Sequence, residues 1–113
     1  MHSKAKGPTQ AERVRWGRIQ DDGCLACHRE GIGYQPPEIH HLIVGNRRAG
    51  HDQTIGLCPW HHRGIPVQGL TTAAMRLNYG PALALTPREF RNHYGPDKRL
   101  LALQNQRLGL APR

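Results

Sequence analysis

The chain has 113 residues, 37% of them hydrophobic and 5% aromatic, with 16 Lys and Arg against 8 Asp and Glu for a formal charge of +8. That length suits one domain, and so thin an apolar content would gain from a metal that pins chain segments together. No run of about 18 apolar residues is present to span a bilayer, and the positive excess favours a polyanionic partner, phosphate backbones above all.

Residues 1–9 are polar and basic and read as a loose tail without the apolar stretch of a signal peptide. Residues 10–21, QAERVRWGRIQD, place Ala11, Val14 and Ile19 near one face and predict a short helix, weakened by Gly17. Its arginines, Arg13, Arg15 and Arg18, lie elsewhere, so the helix either covers the core or meets nucleic acid. Asp22 and Gly23 mark a turn into Cys24-Leu25-Ala26-Cys27. Gly31, Gly33, Pro36 and Pro37 then make a loop. Residues 38–44 read as a strand, because Ile39, Leu42, Ile43 and Val44 are strand formers. A glycine-bounded basic loop carrying Arg47 and Arg48 follows, then a shorter strand at 54–57. Pro59 suits the first turn of a helix. The order is strand, strand, helix. Beyond Gly64 the chain reads as scaffold: small and aliphatic residues over 70–78 and 82–85, a helix from Thr86-Pro87 to about Tyr94, and a last helix capped by Asp97 and running over 98–108 on Leu100, Leu101, Leu103 and Leu108. The expectation is an α+β fold, with residues 10–113 one domain, a core at 24–64 and a helical scaffold at 65–113.

Between Cys24 and His62 lie all three cysteines and six of the eight histidines. Cys24 and Cys27 stand two residues apart, which lets one tight turn aim both sulfurs at one ion. Cys58 and His61 repeat that spacing, completing a Cys₃His set of the structural zinc type. An odd cysteine count with this spacing argues against a disulfide framework and for a reducing cytoplasm. His28, next to Cys27, is a competing ligand, and Trp60 reads as packing beneath the zinc. Imidazoles remain after four ligands are used. Neighbours on a strand point to opposite faces, so His40 and His41 take different roles. On a helix His61 and His62 diverge by about 100°, so His61 can close the zinc site while His62 faces the hairpin. A hydrolytic phosphodiester site needs a divalent cation and a base near pH 7, and imidazole supplies both functions. Arg47, Arg48 and Arg63 flank this region and could clamp phosphates.

With Cys24/Cys27, His40-His41 and Cys58-Pro59-Trp60-His61-His62 in place, the core resembles the HNH endonuclease family, whose ββα-metal fold is a hairpin plus a helix. Within that family the segments T-I-G-L-C-P-W-H-H-R-G, F-R-N-H-Y-G and L-L-A-L-Q-N are most similar to the bacteriophage recombination-enhancement-function nucleases. The resemblance covers residues 24–105. It implies that His40 and His62 ligate a catalytic metal and that His41 is the general base. The family's middle asparagine has no clean equivalent; His51 is favoured by residue type, with Asp52 and Gln53 as alternatives. The catalytic cation would be Mg²⁺ or another divalent ion, such as Mn²⁺, Ni²⁺ or Zn²⁺. The resemblance thus implies an endonuclease acting on DNA in phage-type recombination or DNA processing, with a recombinase as a candidate partner. The rival reading is a non-catalytic zinc-bearing module that binds DNA or RNA.

Overall fold

Strand formers with a proline behind them produce the centre of the molecule. In a computed structural model, which describes residues 7–44, 47–48 and 52–110, β1 (Glu38–His41) pairs antiparallel with β4 (Thr54–Leu57), and α3 (Pro59–Arg63) follows at once. The register sets Glu38 against Leu57 and His41 against Thr54. The strand expected over 38–44 is interrupted at Leu42, which is buried; β2 (Ile43–Val44) pairs instead with β3 (Arg47–Arg48) in a separate antiparallel ribbon. The α+β expectation holds: six helices surround these strands among the described residues.

The sheet is covered on both faces. Toward one side Ile55 and Leu57 join Leu25, Trp60, Met75 and Phe90 in the buried core. Toward the other lie α1 (Gln10–Asp22) and α6 (Asp97–Arg107), both packed on β4. Thr9 opens α1 with a full capping box: its side chain accepts from the Glu12 amide, and Glu12 accepts from the Thr9 amide at 2.7 Å. The face that α1 buries differs from the one its apolar residues suggest. Val14 is 54% exposed, whereas Arg15 and Ile19 are buried. Arg15 is accommodated because its fork is filled: Nε donates to the Thr54 hydroxyl at 3.0 Å, one Nη to the Thr54 carbonyl and the other to Asn105 at 2.7 Å. It joins α1, β4 and α6 in one set of bonds. An arginine that sequence reading offers equally to nucleic acid is thus an internal brace.

Two helices appear that the residue pattern does not announce, α2 (Leu25–Arg29) and α4 (Thr72–Tyr79). α5 (Pro87–Tyr94) begins where expected, but the Thr86 side chain makes no capping bond, and Asp97 is the first residue of α6 behind Pro96 rather than its cap. No helix among the described residues is long and apolar enough to cross a membrane.

Candidate metal centres and active-site cavity

The two cysteine half-sites share one local design. Cys24 occupies the N-cap of α2 and accepts from the Cys27 amide; Cys58 occupies the N-cap of α3 and accepts from the His61 amide. In each, the ligands are the cap and the third helical residue, which the first turn brings to one side. A spacing of two residues between ligands is therefore the spacing of a capped helical turn.

Cys24, Cys27, Cys58 and His61 converge in the interior, with all four ligand atoms within 4.8 Å of one another. The Nδ1 of His61 lies 3.5, 3.4 and 3.3 Å from the sulfurs of Cys24, Cys27 and Cys58, and the Cys27 and Cys58 sulfurs are 3.8 Å apart. Around zinc, with Zn–S of about 2.3 Å and Zn–N of about 2.05 Å, a tetrahedron has S···S edges of about 3.8 Å and S···N edges of about 3.5 Å. The side chains fit that ion. Burial opposes a charge on His61, yet its bonds to the Cys24 and Cys58 sulfurs raise the imidazole to about 10. The cluster draws positive charge to its centre, and a metal cation supplies it without a proton.

Outside the cluster the remaining imidazole nitrogen is oriented. His61 Nε2 donates to the Tyr79 carbonyl at 2.7 Å, with the Tyr94 hydroxyl 3.1 Å away. That hydroxyl donates to Glu30 at 2.7 Å, and Glu30 also holds His93 at 2.6 Å. Burial raises the Glu30 carboxyl, but the bonds from Tyr94 and His93 outweigh it and leave it below the ordinary value. Such outer partners fix the ring and tautomer of a ligating histidine. His28 is not part of the set; its ring meets the Asp22 carbonyl instead. Trp60 is buried in the core and donates to the Gly80 carbonyl at 3.0 Å.

On the outer side of α3 a second pair forms. His40 Nδ1 and His62 Nε2 face each other at 3.2 Å. A shared cation with nitrogens at about 2.0–2.1 Å would set them about 2.9 Å apart in octahedral and about 3.3 Å in tetrahedral geometry. The pair spans that range. Behind it, His62 Nδ1 bonds Glu38 at 2.8 Å, which leaves Nε2 as the lone-pair nitrogen aimed at His40. Arg63 takes both Glu38 oxygens with the Nε–Nη2 edge of its fork. Arg63 pulls the Glu38 carboxyl below its usual range against burial, and His62 adds to the pull. Burial, then the neighbouring His62, lowers His40 to about 4, so it is neutral and able to ligate at pH 7. A cavity of about 420 Å³ opens beside the pair.

His41 is turned the other way. Its strand position pairs with Thr54, on the side where α1 lies, and its ring stands edge-on to Trp16 with centroids 5.7 Å apart. Alternation along β1 separates it from His40, as strand geometry demands. Of the expected phosphate contacts, Arg63 lines the cavity; the side chains of Arg47 and Arg48, and all of His51, lie outside the described residues. Asp52 is exposed and Gln53 half-buried, with the Gln53 carbonyl accepting from the Leu42 amide at 3.0 Å. Sequence reading overlooks Arg91 and Asp97, which also line the cavity from the helical scaffold. Only the fold brings residues so distant in sequence beside His40.

A family model described as recombination enhancement, RecA-dependent nuclease matches residues 8–109. No curated protein matches the chain.

Proposed function

From a chain that belongs to the family of recombination-enhancement, RecA-dependent nucleases, we propose a metal-dependent endonuclease of HNH type that hydrolyses DNA phosphodiester bonds. The observation that carries the reading is the His40–His62 pair, 3.2 Å apart and oriented from behind by Glu38. A divalent cation held there, Mg²⁺ or another, would neutralise the scissile phosphate and the departing 3′ oxygen. Neutral His40 would offer one lone pair to that cation and His62 the other, because Glu38 holds the His62 proton on Nδ1. Arg63 holds Glu38 in place and brings its positive charge to the cavity lining. His41, at the last paired position of β1, is assigned the base on the motif, and mutation tests that assignment. Cys24, Cys27, Cys58 and His61 hold zinc as a structural ion. DNA is the substrate and a RecA-type recombinase the partner, a reading supported by the family description and the +8 charge. Residues 10–113 act as one nuclease domain in the cytoplasm.

Plasmid nicking with divalent cation tests the assignment. Removing an outer partner of a metal ligand costs about 10–100-fold, so His40→Ala and His62→Ala, which remove ligands themselves, should lower the rate by at least about 100-fold. Elemental analysis should show two ions per chain in the wild type and one in either variant. His41→Ala should abolish cleavage while leaving both ions bound; cleavage that survives it removes His41 from the mechanism. DNA binding without cleavage under any cation, with or without recombinase filaments, would leave the non-catalytic binding module in its place.

A further inference from the structure

The wall of the cavity facing His40 and His62 runs from the end of α4 to the first residue of α6, through Leu83, Pro87, Arg91 and Asp97. We propose that Arg91 is a phosphate-binding residue for the DNA strand that enters this cavity, and that Asp97 occupies its guanidinium until the strand arrives. This rests on the reading of His40 and His62 as the catalytic pair.

Arg63 and Arg91 line the same cavity but are engaged differently. The Nε–Nη2 edge of the Arg63 fork is taken by Glu38, at 2.9 Å through Nε and more closely through Nη2. That guanidinium is committed to orienting Glu38 and, through it, His62. Arg91 is held loosely: its Nε is 3.5 Å from Asp97, and its Nη1 is 3.5 Å from the Pro87 carbonyl. A guanidinium carries five N–H donors in a fork that matches phosphate oxygens. Long contacts of this kind exchange readily for short ones to an incoming anion. The exchange also conserves charge, because a phosphate replaces a carboxylate beside the same cation.

Placement is the second observation. Arg91 lies between two buried side chains of α5, Phe90 and Tyr94, the second tied to Glu30 beside the zinc cluster. The backbone of Arg91 is therefore fixed relative to His61, and so to His62 next to it. Its side chain is 43% exposed. A strand phosphate set against the His40–His62 pair has this guanidinium across the cavity from it.

Each phosphate contact contributes about 0.9 to the slope of log affinity against log salt on duplex DNA. Binding of labelled duplex, followed by fluorescence anisotropy over a salt series without added divalent cation, should therefore show Arg91→Gln shallower than wild type by about that amount. At low salt its affinity should be about tenfold weaker, the scale of one charge-assisted bond. Arg91→Lys should restore the slope but not the full affinity, since it keeps the charge and loses the fork. Asp97→Asn should tighten binding, and should do so less when Arg91→Gln is already present. Arg107→Gln, which breaks a closer pair with Asp22 away from the cavity, removes the same charge and is the control. With cleavage running, Arg91→Gln should raise KM more than it lowers kcat. The assignment is overturned if Arg91→Gln and Arg107→Gln are indistinguishable in slope and KM, or if Asp97→Asn weakens binding. A wild type with an Arg91-dependent slope that never cleaves would remove the nuclease reading and keep the phosphate site. Unimpaired cleavage and binding by Arg91→Gln would do the reverse.

Discussion

At His40 burial changes how an imidazole titrates. Its imidazole is pressed beside His62 and shielded from water, with Asp97 pulling its pKa up and His41 and Arg91 pulling it down; the outcome is a value of about 4. An unfolded chain titrates the same residue near 6.5. Above that pH the position is neutral in both states and contributes nothing to pH dependence. As the pH falls below it, the unfolded chain takes up a proton that the folded chain refuses until about 4, so stability drops across that window. Melting curves from pH 7.5 to 4 without added divalent cation should show this slope, and His40→Gln should flatten part of it. A slope identical in the variant would assign the effect to another group. At this scale the sequence was partly legible. Two adjacent histidines before a strand's end, and two more after Pro59, could be set on different sides by strand and helix geometry alone. The proton placement on His62 could not, because Glu38 reaches it from another element.

Elements meet most tightly at the middle of β4. A side chain at Gly56 would place its Cβ 2.6 Å from Ile19 Cγ2, 3.0 Å from the Gly23 carbonyl oxygen and 3.1 Å from Pro37 Cβ. The glycine is there because α1 and the turn after it lie directly on the strand. Its amide, in turn, donates to the buried Gln104 of α6 at 2.8 Å. Gly56→Ala should therefore destabilise the fold by about 1–3 kcal/mol, the usual penalty for overpacking, read as a lower denaturant midpoint at unchanged m-value. An unaltered midpoint would mean that α1 can slide off the sheet without loss. Nothing local marks Gly56 out, since the reason for it sits nearly forty residues earlier. The same holds for Arg15, whose partners Thr54 and Asn105 are remote in sequence. The strand at 54–57 and the helix at Pro59 were legible because β-branched residues and proline act locally. α2 was hidden inside its own ligand spacing, which reads as a turn but folds as a capped helix.

For the whole molecule, the Cys₃His cluster links the two walls of the cavity. One wall is β1 and α3, carrying His40, His62 and Arg63; the other is the segment of Leu83, Pro87, Arg91 and Asp97. What joins them runs through His61: its carbonyl accepts the Leu83 amide at 2.8 Å, and its ring bonds the Tyr79 carbonyl and stands beside Tyr94. An ion held by Cys24, Cys27, Cys58 and His61 would fix that ring in place. Structural zinc in small domains binds with about 10–16 kcal/mol, a sum comparable to the entire stability of a domain, about 5–15 kcal/mol. With 37% hydrophobic residues the core has little to replace it. Stripping the metal with a strong chelator under reducing conditions should accordingly abolish the cooperative melt and expose apolar surface to a dye, rather than merely lower the melting temperature. Mg²⁺ alone should fail to restore cleavage, because its hard-ligand preference suits neither thiolates nor this cluster. Zn²⁺ should restore the melt first and, with the second divalent cation added, cleavage. A stripped chain that still melts cooperatively would show that apolar packing holds the walls together unaided, and the cluster would lose its structural role.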